Sequence, residues 1–131
     1  MQRDIELIEA IYAAFGRRDL PALLRHLGND VEIIQSAELP WGGIHLGHAG
    51  VRQFFTALQI HLDSHVEMER LIDAGDHVVA VGRTVGKACA TGLEFDIPVV
   101  HVWKFRDGRV SRFEAYLDNT AMLGALGINS P

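Results

Sequence analysis

The sequence has a single cysteine, Cys89, so no internal disulfide can form and a reducing cytoplasm is the expected setting. It has no apolar run long enough to span a membrane. Its N-terminus, MQRDIELIEA, is charged where a secretory leader is apolar, so neither signal peptide nor membrane association is expected. Positive charge is also scarce. Twelve Lys and Arg against 17 Asp and Glu give a net charge of -5, with no basic stripe, which argues against nucleic acid as a partner. There is no P-loop, no dinucleotide fingerprint and no serine elbow. Seven histidines are present, but His45/His48 and His61/His65 lack the HExxH glutamate, so no metal and no cofactor is expected. Internal repeats, linkers and low-complexity segments are missing as well, so residues 1–131 read as one domain.

What is present suffices for one core: 48% of the 131 residues are hydrophobic and 22% charged, the balance of a globular domain. The strongest local pattern is Pro98 to Asp118, PVVHVWKFRDGRVSRFEAYLD. Asp107-Gly108 sits between two alternating runs, which marks a β-hairpin. A period of 2 puts Val99, His101, Trp103 and Phe105 on one face of the first strand. Phe113, Ala115 and Leu117 share a face of the second. An apolar lining around one histidine is how a small-ligand pocket is built.

The rest of the chain supports that hairpin. Ile5, Ile8, Ile11, Tyr12 and Phe15 recur at helical spacing, which predicts a helix over 3–16 closed by Gly16. Asp19 suits an N-cap, with Pro21 in the first turn of a second helix that Gly28-Asn29 would stop. A short strand follows at 31–35. Residues 36–50, rich in glycine and holding Trp41, read as irregular, either a lid or a packed connection. A third helix is expected from about 49 to 62, with Phe54 and Phe55 on its apolar face. Strands follow near 66–72, with a slip at Leu71-Ile72, and over 78–87. On the latter, Val78, Ala80, Gly82 and Thr84 form a small-residue face that allows close approach. Arg83, opposite them, is a candidate ion-pair partner of Glu114. Cys89 reads as a small structural hydrophobe. A short helix at 119–126 and a frayed tail complete the chain.

The order α-α-β-α-β-β-β-β-α predicts an α+β fold: a cone-shaped α+β barrel built on a curved, mostly antiparallel sheet. Three N-terminal helices pack on its concave face and a short C-terminal helix follows. Partly apolar outer positions, among them Val79, Val81, Val100 and Val102, predict a homodimer through the outer face of the sheet.

The segments GRRDLPALLRHLGNDVEI, GIHLGHAGVRQFF and HVWKFRDGRVSRFEAYLD make the chain resemble the SnoaL-like and ketosteroid-isomerase-like proteins of the nuclear transport factor 2 superfold. The likeness covers nearly the whole length. It implies a fold more than a reaction, since such proteins include isomerases, cyclases, dehydratases and hydrolases. Ketosteroid isomerases carry a general-base carboxylate at the end of the first strand. Gln35 stands there in this chain, and an amide cannot abstract a proton. Their helix-one tyrosine corresponds to Ile11, with Tyr12 beside it on another face. Their protonated acid corresponds to His101, which can donate a hydrogen bond. Ordinary steroid isomerisation is therefore not expected. The SnoaL-like cyclases use an acid near the end of the last strand, and the resemblance places Asp118 there, although Asp118 also suits an N-cap.

Taken together, the candidate catalytic residues are His101, Asp118 and Glu38, the last in the Trp41 loop and otherwise a solvated charge. Gln35, Trp41, Phe54, Phe55, Trp103, Phe113 and Leu117 are the candidate substrate-binding residues. The expected function is a small cofactor-independent acid/base enzyme for a small hydrophobic or cyclic carbonyl compound. The alternatives are a non-catalytic ligand-binding domain and a dimerisation domain with a filled cavity.

Overall fold

Apolar residues every three or four positions fold as α1 (Gln2–Gly16), with Ile8 and Ile11 fully buried. The computed structural model describes residues 2–128; the last three residues of the tail expected to fray, 129–131, lie outside them. Asp19 caps α2 (Leu20–Arg25), its Oδ1 accepting the Ala22 N–H at 3.1 Å. This helix ends at Arg25, before the stop expected at Gly28-Asn29. The Val110 N–H donates to the His26 carbonyl at 3.0 Å, which draws the chain into β1 (Leu27–Gln35).

The stretch over 36–50 is less irregular than expected. It contains β2 (Gly43–Leu46), paired antiparallel with Glu32 to Gln35, and leads directly into α3 (Gly47–His61). Four alternating residues between glycines are too few to stand out from the turn signals around them.

The remaining strands are β3 (Leu62–Asp73), β4 (His77–Ala88), β5 (Glu94–Arg106) and β6 (Arg109–Leu117), followed by α4 (Asn119–Leu126). The sheet is open and ordered β2-β1-β6-β5-β4-β3. All neighbours are antiparallel except β1 and β6, so the first strand of the chain lies parallel to the last. A register shift between Met68 and Arg70 bulges β3, slightly before the expected slip. The small-residue face of β4 accommodates this strand: a Cβ on Gly82 would lie 2.2 Å from the Glu67 carbonyl oxygen.

The alternation in β4, β5 and β6 sorts as expected. Val78, Ala80, Thr84, Val99, His101, Trp103, Phe113 and Ala115 are buried on one face, which the helices cover. The expected three helices lie there, and α4 joins them, since Ile11, Leu23, Phe54 and Met122 border one cavity. Val79, Val81, Val100 and Val102 are half-buried on the other face. There Arg83 pairs with Asp96 rather than Glu114. Register explains the choice: Arg83 lies opposite Pro98, two residues from Asp96, whereas Glu114 lies opposite Val102 and takes Arg112 and Tyr116 as partners. Cys89, read as a small structural hydrophobe, is exposed, and its thiol sits 4.0 Å from the Gln59 carbonyl oxygen. No helix among the described residues is long and apolar enough to cross a membrane.

Candidate functional site

Sheet and helices enclose a cavity with about 820 Å³ of atom-free space, open to solvent at its mouth. Trp41, Phe54, Phe55, Trp103, Phe113 and Leu117, all expected at a pocket, border it. The other polar side chains that reach it are Tyr12, Gln35, Ser64, Thr84 and His101, and none of the lining residues carries a formal charge at neutral pH. Ser64 and Thr84 were not among the candidates; the period-2 face of Thr84 is the one signal that points to it.

His101 sits inside an aromatic nest. Its ring lies 4.9 Å from Phe113 and 5.9 Å from Tyr12, centroid to centroid. Tyr12 Oη is 2.6 Å from His101 Nδ1, and Trp103 Nε1–H donates to Tyr12 Oη at 3.0 Å. Indole nitrogen only donates. Tyr12 therefore accepts from Trp103, and with its own hydrogen on Nδ1 the three groups form one directed chain from Trp103 through Tyr12 to His101. In that tautomer Nδ1 is an acceptor and the ring proton sits on Nε2. Burial, with no charged partner, lowers the His101 pKa to about 4, so the ring is neutral near pH 7. Burial also pushes the Tyr12 hydroxyl above its ordinary value, against the opposing hydrogen bond from Trp103. The expectation that Tyr12 faces away from Ile11's side is thus corrected: both border the cavity. The i, i+4 spacing from Ile8 to Tyr12 carried that signal.

Gln35 is fixed in a similar way. It ends β1 with only 8% of its surface exposed, and its Oε1 accepts Trp41 Nε1–H at 3.0 Å. Because the indole can only donate, the amide oxygen must face Trp41 and the NH2 group must face elsewhere. The Trp41 loop is a packed connection. Trp41 is fully buried, Leu39 N–H donates to Ser36 O and Gly42 N–H to Leu39 O. His45 Nε2 lies 3.0 Å and 3.1 Å from the Trp41 and Gly42 carbonyl oxygens, which pins the loop to β2.

Register brings the two polar side chains together. Gln35 pairs with Ala115, Ala115 with His101 and His101 with Ala80, one row across β1, β6, β5 and β4. Gln35 and His101 are two strand spacings apart, roughly 10 Å between backbones, on the same face. The small Ala115 lies between them.

Asp118 and Glu38 are not brought to this row. Asp118 is exposed, and its Oδ1 accepts the Ala121 N–H at 3.0 Å, capping α4. Glu38 is exposed, and neither residue borders the cavity. His48 Nε2 lies 3.0 Å from the Leu27 carbonyl oxygen, the ring of His61 lies beside Trp41, and exposed His65 pairs with Glu67 at 2.6 Å.

Comparison with known proteins agrees with this architecture. The SnoaL-like domain family's sequence model matches residues 8–113. No curated protein matches the chain. Among solved structures, an NTF2-like protein of unknown function from Burkholderia pseudomallei is 29% identical, with a TM-score of 0.90 over 96% of this chain and 98% of that one. TerC, co-crystallised with polyporic acid, is 30% identical, with a TM-score of 0.88 over 95% of this chain and 98% of its own. A putative polyketide cyclase from Xanthomonas campestris shares the fold at 24% identity, with a TM-score of 0.81 over 95% and 97% of the two chains.

Proposed function

The chain belongs to the SnoaL-like domain family, and from that premise we propose that it is a cofactor-independent enzyme of the cyclase or isomerase type, acting on a small hydrophobic cyclic carbonyl compound. The observation that carries this reading is the Trp103–Tyr12–His101 chain, which holds an imidazole inside an apolar cavity; we assign it the tautomer with a free Nε2–H. Such a donor stabilises negative charge as it develops on a ligand oxygen, and low polarity around it strengthens the effect. Removing one donor of this kind costs on the order of 100- to 1,000-fold in rate. The proton leaving the adjacent carbon passes to water at the open mouth. TerC's polyporic acid supports a small organic ligand in this fold.

Deuterium exchange tests the reading. In D2O, the protein is expected to speed exchange at the carbon beside the carbonyl of a cyclic ketone or lactone, and His101→Phe to lose that rate. The ring signals of His101 are expected to move on ligand addition. If no compound of such a panel disturbs those signals, the proposal fails. Binding without exchange selects the second reading, a non-catalytic binding domain, which the absence of a carboxylate among the lining residues favours.

The same proposal includes a homodimer through the outer face of the sheet. Half-buried Val79, Val81, Val100 and Val102 form its apolar centre, and Tyr116 is 53% exposed beside them. Sedimentation at micromolar concentration is expected to give twice the monomer mass of 14.5 kDa, and a monomer would remove this part.

A further inference from the structure

The hydrogen bonds at the floor of the cavity use acceptors and leave donors. Gln35 Oε1 is taken by Trp41, His101 Nδ1 by Tyr12, and Tyr12 Oη by Trp103. What remains is the NH2 of Gln35, on a side chain more than nine-tenths buried, and, in the tautomer that accepts from Tyr12, the Nε2–H of His101. Neither group has a protein partner among the described residues, and both residues border the cavity. They stand in one row with Ala115 between them, so a flat molecule can lie on the alanine and meet a donor at each side. The hydroxyls of Ser64 and Thr84, also at the cavity, can donate or accept. No carboxylate among the lining residues is there to take a proton or repel an anion.

We propose that the site takes its ligand already ionised, as the conjugate base of an acidic cyclic enol, with one oxygen on Gln35 Nε2 and the other on His101 Nε2. This deepens the reading of the site as one for cyclic carbonyl compounds and rests on it. A ligand that loses its proton in water needs no protein base, which accounts for an amide at the end of β1. A neutral cavity is a poor place for an anion unless fixed donors replace its lost hydration. Here both groups are positioned before the ligand arrives, the amide by Trp41 and the imidazole ring by Tyr12. Hydrogen bonds to an ionised oxygen are about twice as strong as those to a neutral one, so the same donors discriminate in favour of the anion.

Dimedone, ionised at pH 7, and its O-methyl enol ether, which cannot ionise, are the probes. Calorimetry is expected to show dimedone bound at least about tenfold tighter than the ether. Its enolate absorption band is expected to show a pKa lowered by about one unit when bound, the same tenfold seen by linkage. Gln35→Glu keeps an acceptor for Trp41 but replaces the NH2 with carboxylate oxygen. It is expected to lose at least about tenfold in dimedone affinity while the ether changes less than about threefold. Should that variant not fold, the bound pKa in the unaltered protein decides alone. An ether bound as tightly as dimedone, or a bound pKa raised rather than lowered, overturns the anion proposal and leaves the carbonyl reading standing. If neither probe binds, nor any ketone or lactone of the panel, both readings fall together.

Discussion

Acidification from pH 7 to pH 4 is expected to cost the protein about 3 kcal/mol of stability on account of His101 alone. The folded-state pKa is about 4, against an unperturbed 6.5. Below 6.5 the unfolded chain takes up a proton that the folded chain refuses. The unfolded state then binds more protons, and stability falls until the pH reaches the folded value. Above 6.5 both forms are neutral and the contribution is fully present. Among the described residues Tyr12 is the one ionisable side chain bonded to the ring, and Trp103 and Phe113 supply the rest of its close ring contacts, so no neighbouring charge there offsets the burial. In His101→Gln, the amide oxygen can still accept from Tyr12 but nothing titrates. Urea unfolding of both proteins across this range is expected to give curves that diverge by that amount as pH falls. Parallel curves would mean that the folded protein accommodates an imidazolium, which would remove the neutral Nε2–H donor from the site.

Gly42→Ala is expected to cost more than about 3 kcal/mol, an unusually large penalty for one methyl group. A Cβ there would lie 1.7 Å from the Ser36 carbonyl oxygen and 2.7 Å from its carbonyl carbon. Both contacts are backbone, so no side-chain rotation relieves them. The turn from Ser36 to Gly42 must open, and Trp41 goes with it. The emission of Trp41 should move to longer wavelength as the indole meets water, and the Gln35 amide, no longer held, should lose its preference for the enolate. Gly124→Ala is the control: nothing lies within 4 Å of the new methyl, and alanine is favoured inside a helix by about 0.5–1 kcal/mol. A Gly42→Ala protein with an unchanged unfolding midpoint would show that the turn is looser than its hydrogen bonds imply.

The parts of this molecule that were legible in its residues are those set by short-range rules. Period-2 alternation put His101, Trp103 and Phe113 on one face because a strand has no other way to arrange them. Asp118 and Asp19 sit where a helix needs a side-chain oxygen, and both cap one. What stayed hidden depends on partners distant in sequence. Tyr12 and His101 are 89 positions apart, and nothing local announces their bond. The direction of the Gln35 amide is set by an indole six residues away across a turn whose path is not written in its composition. The choice of Asp96 over Glu114 by Arg83 follows from register, which alternation alone does not fix.

The parallel pairing of β1 with β6 also sets the order of events during folding. The β3–β4 and β5–β6 hairpins close short loops and can form as soon as their own residues are available. The row of Gln35, Ala115 and His101 cannot, because its first member waits for a strand that leaves the ribosome some eighty residues later. Until then β1 exposes an unpaired edge beside an unfinished apolar floor. Ligand affinity therefore arrives with the last cooperative step. A bound molecule can hold the finished protein together by mass action, but it cannot guide a nascent chain toward it.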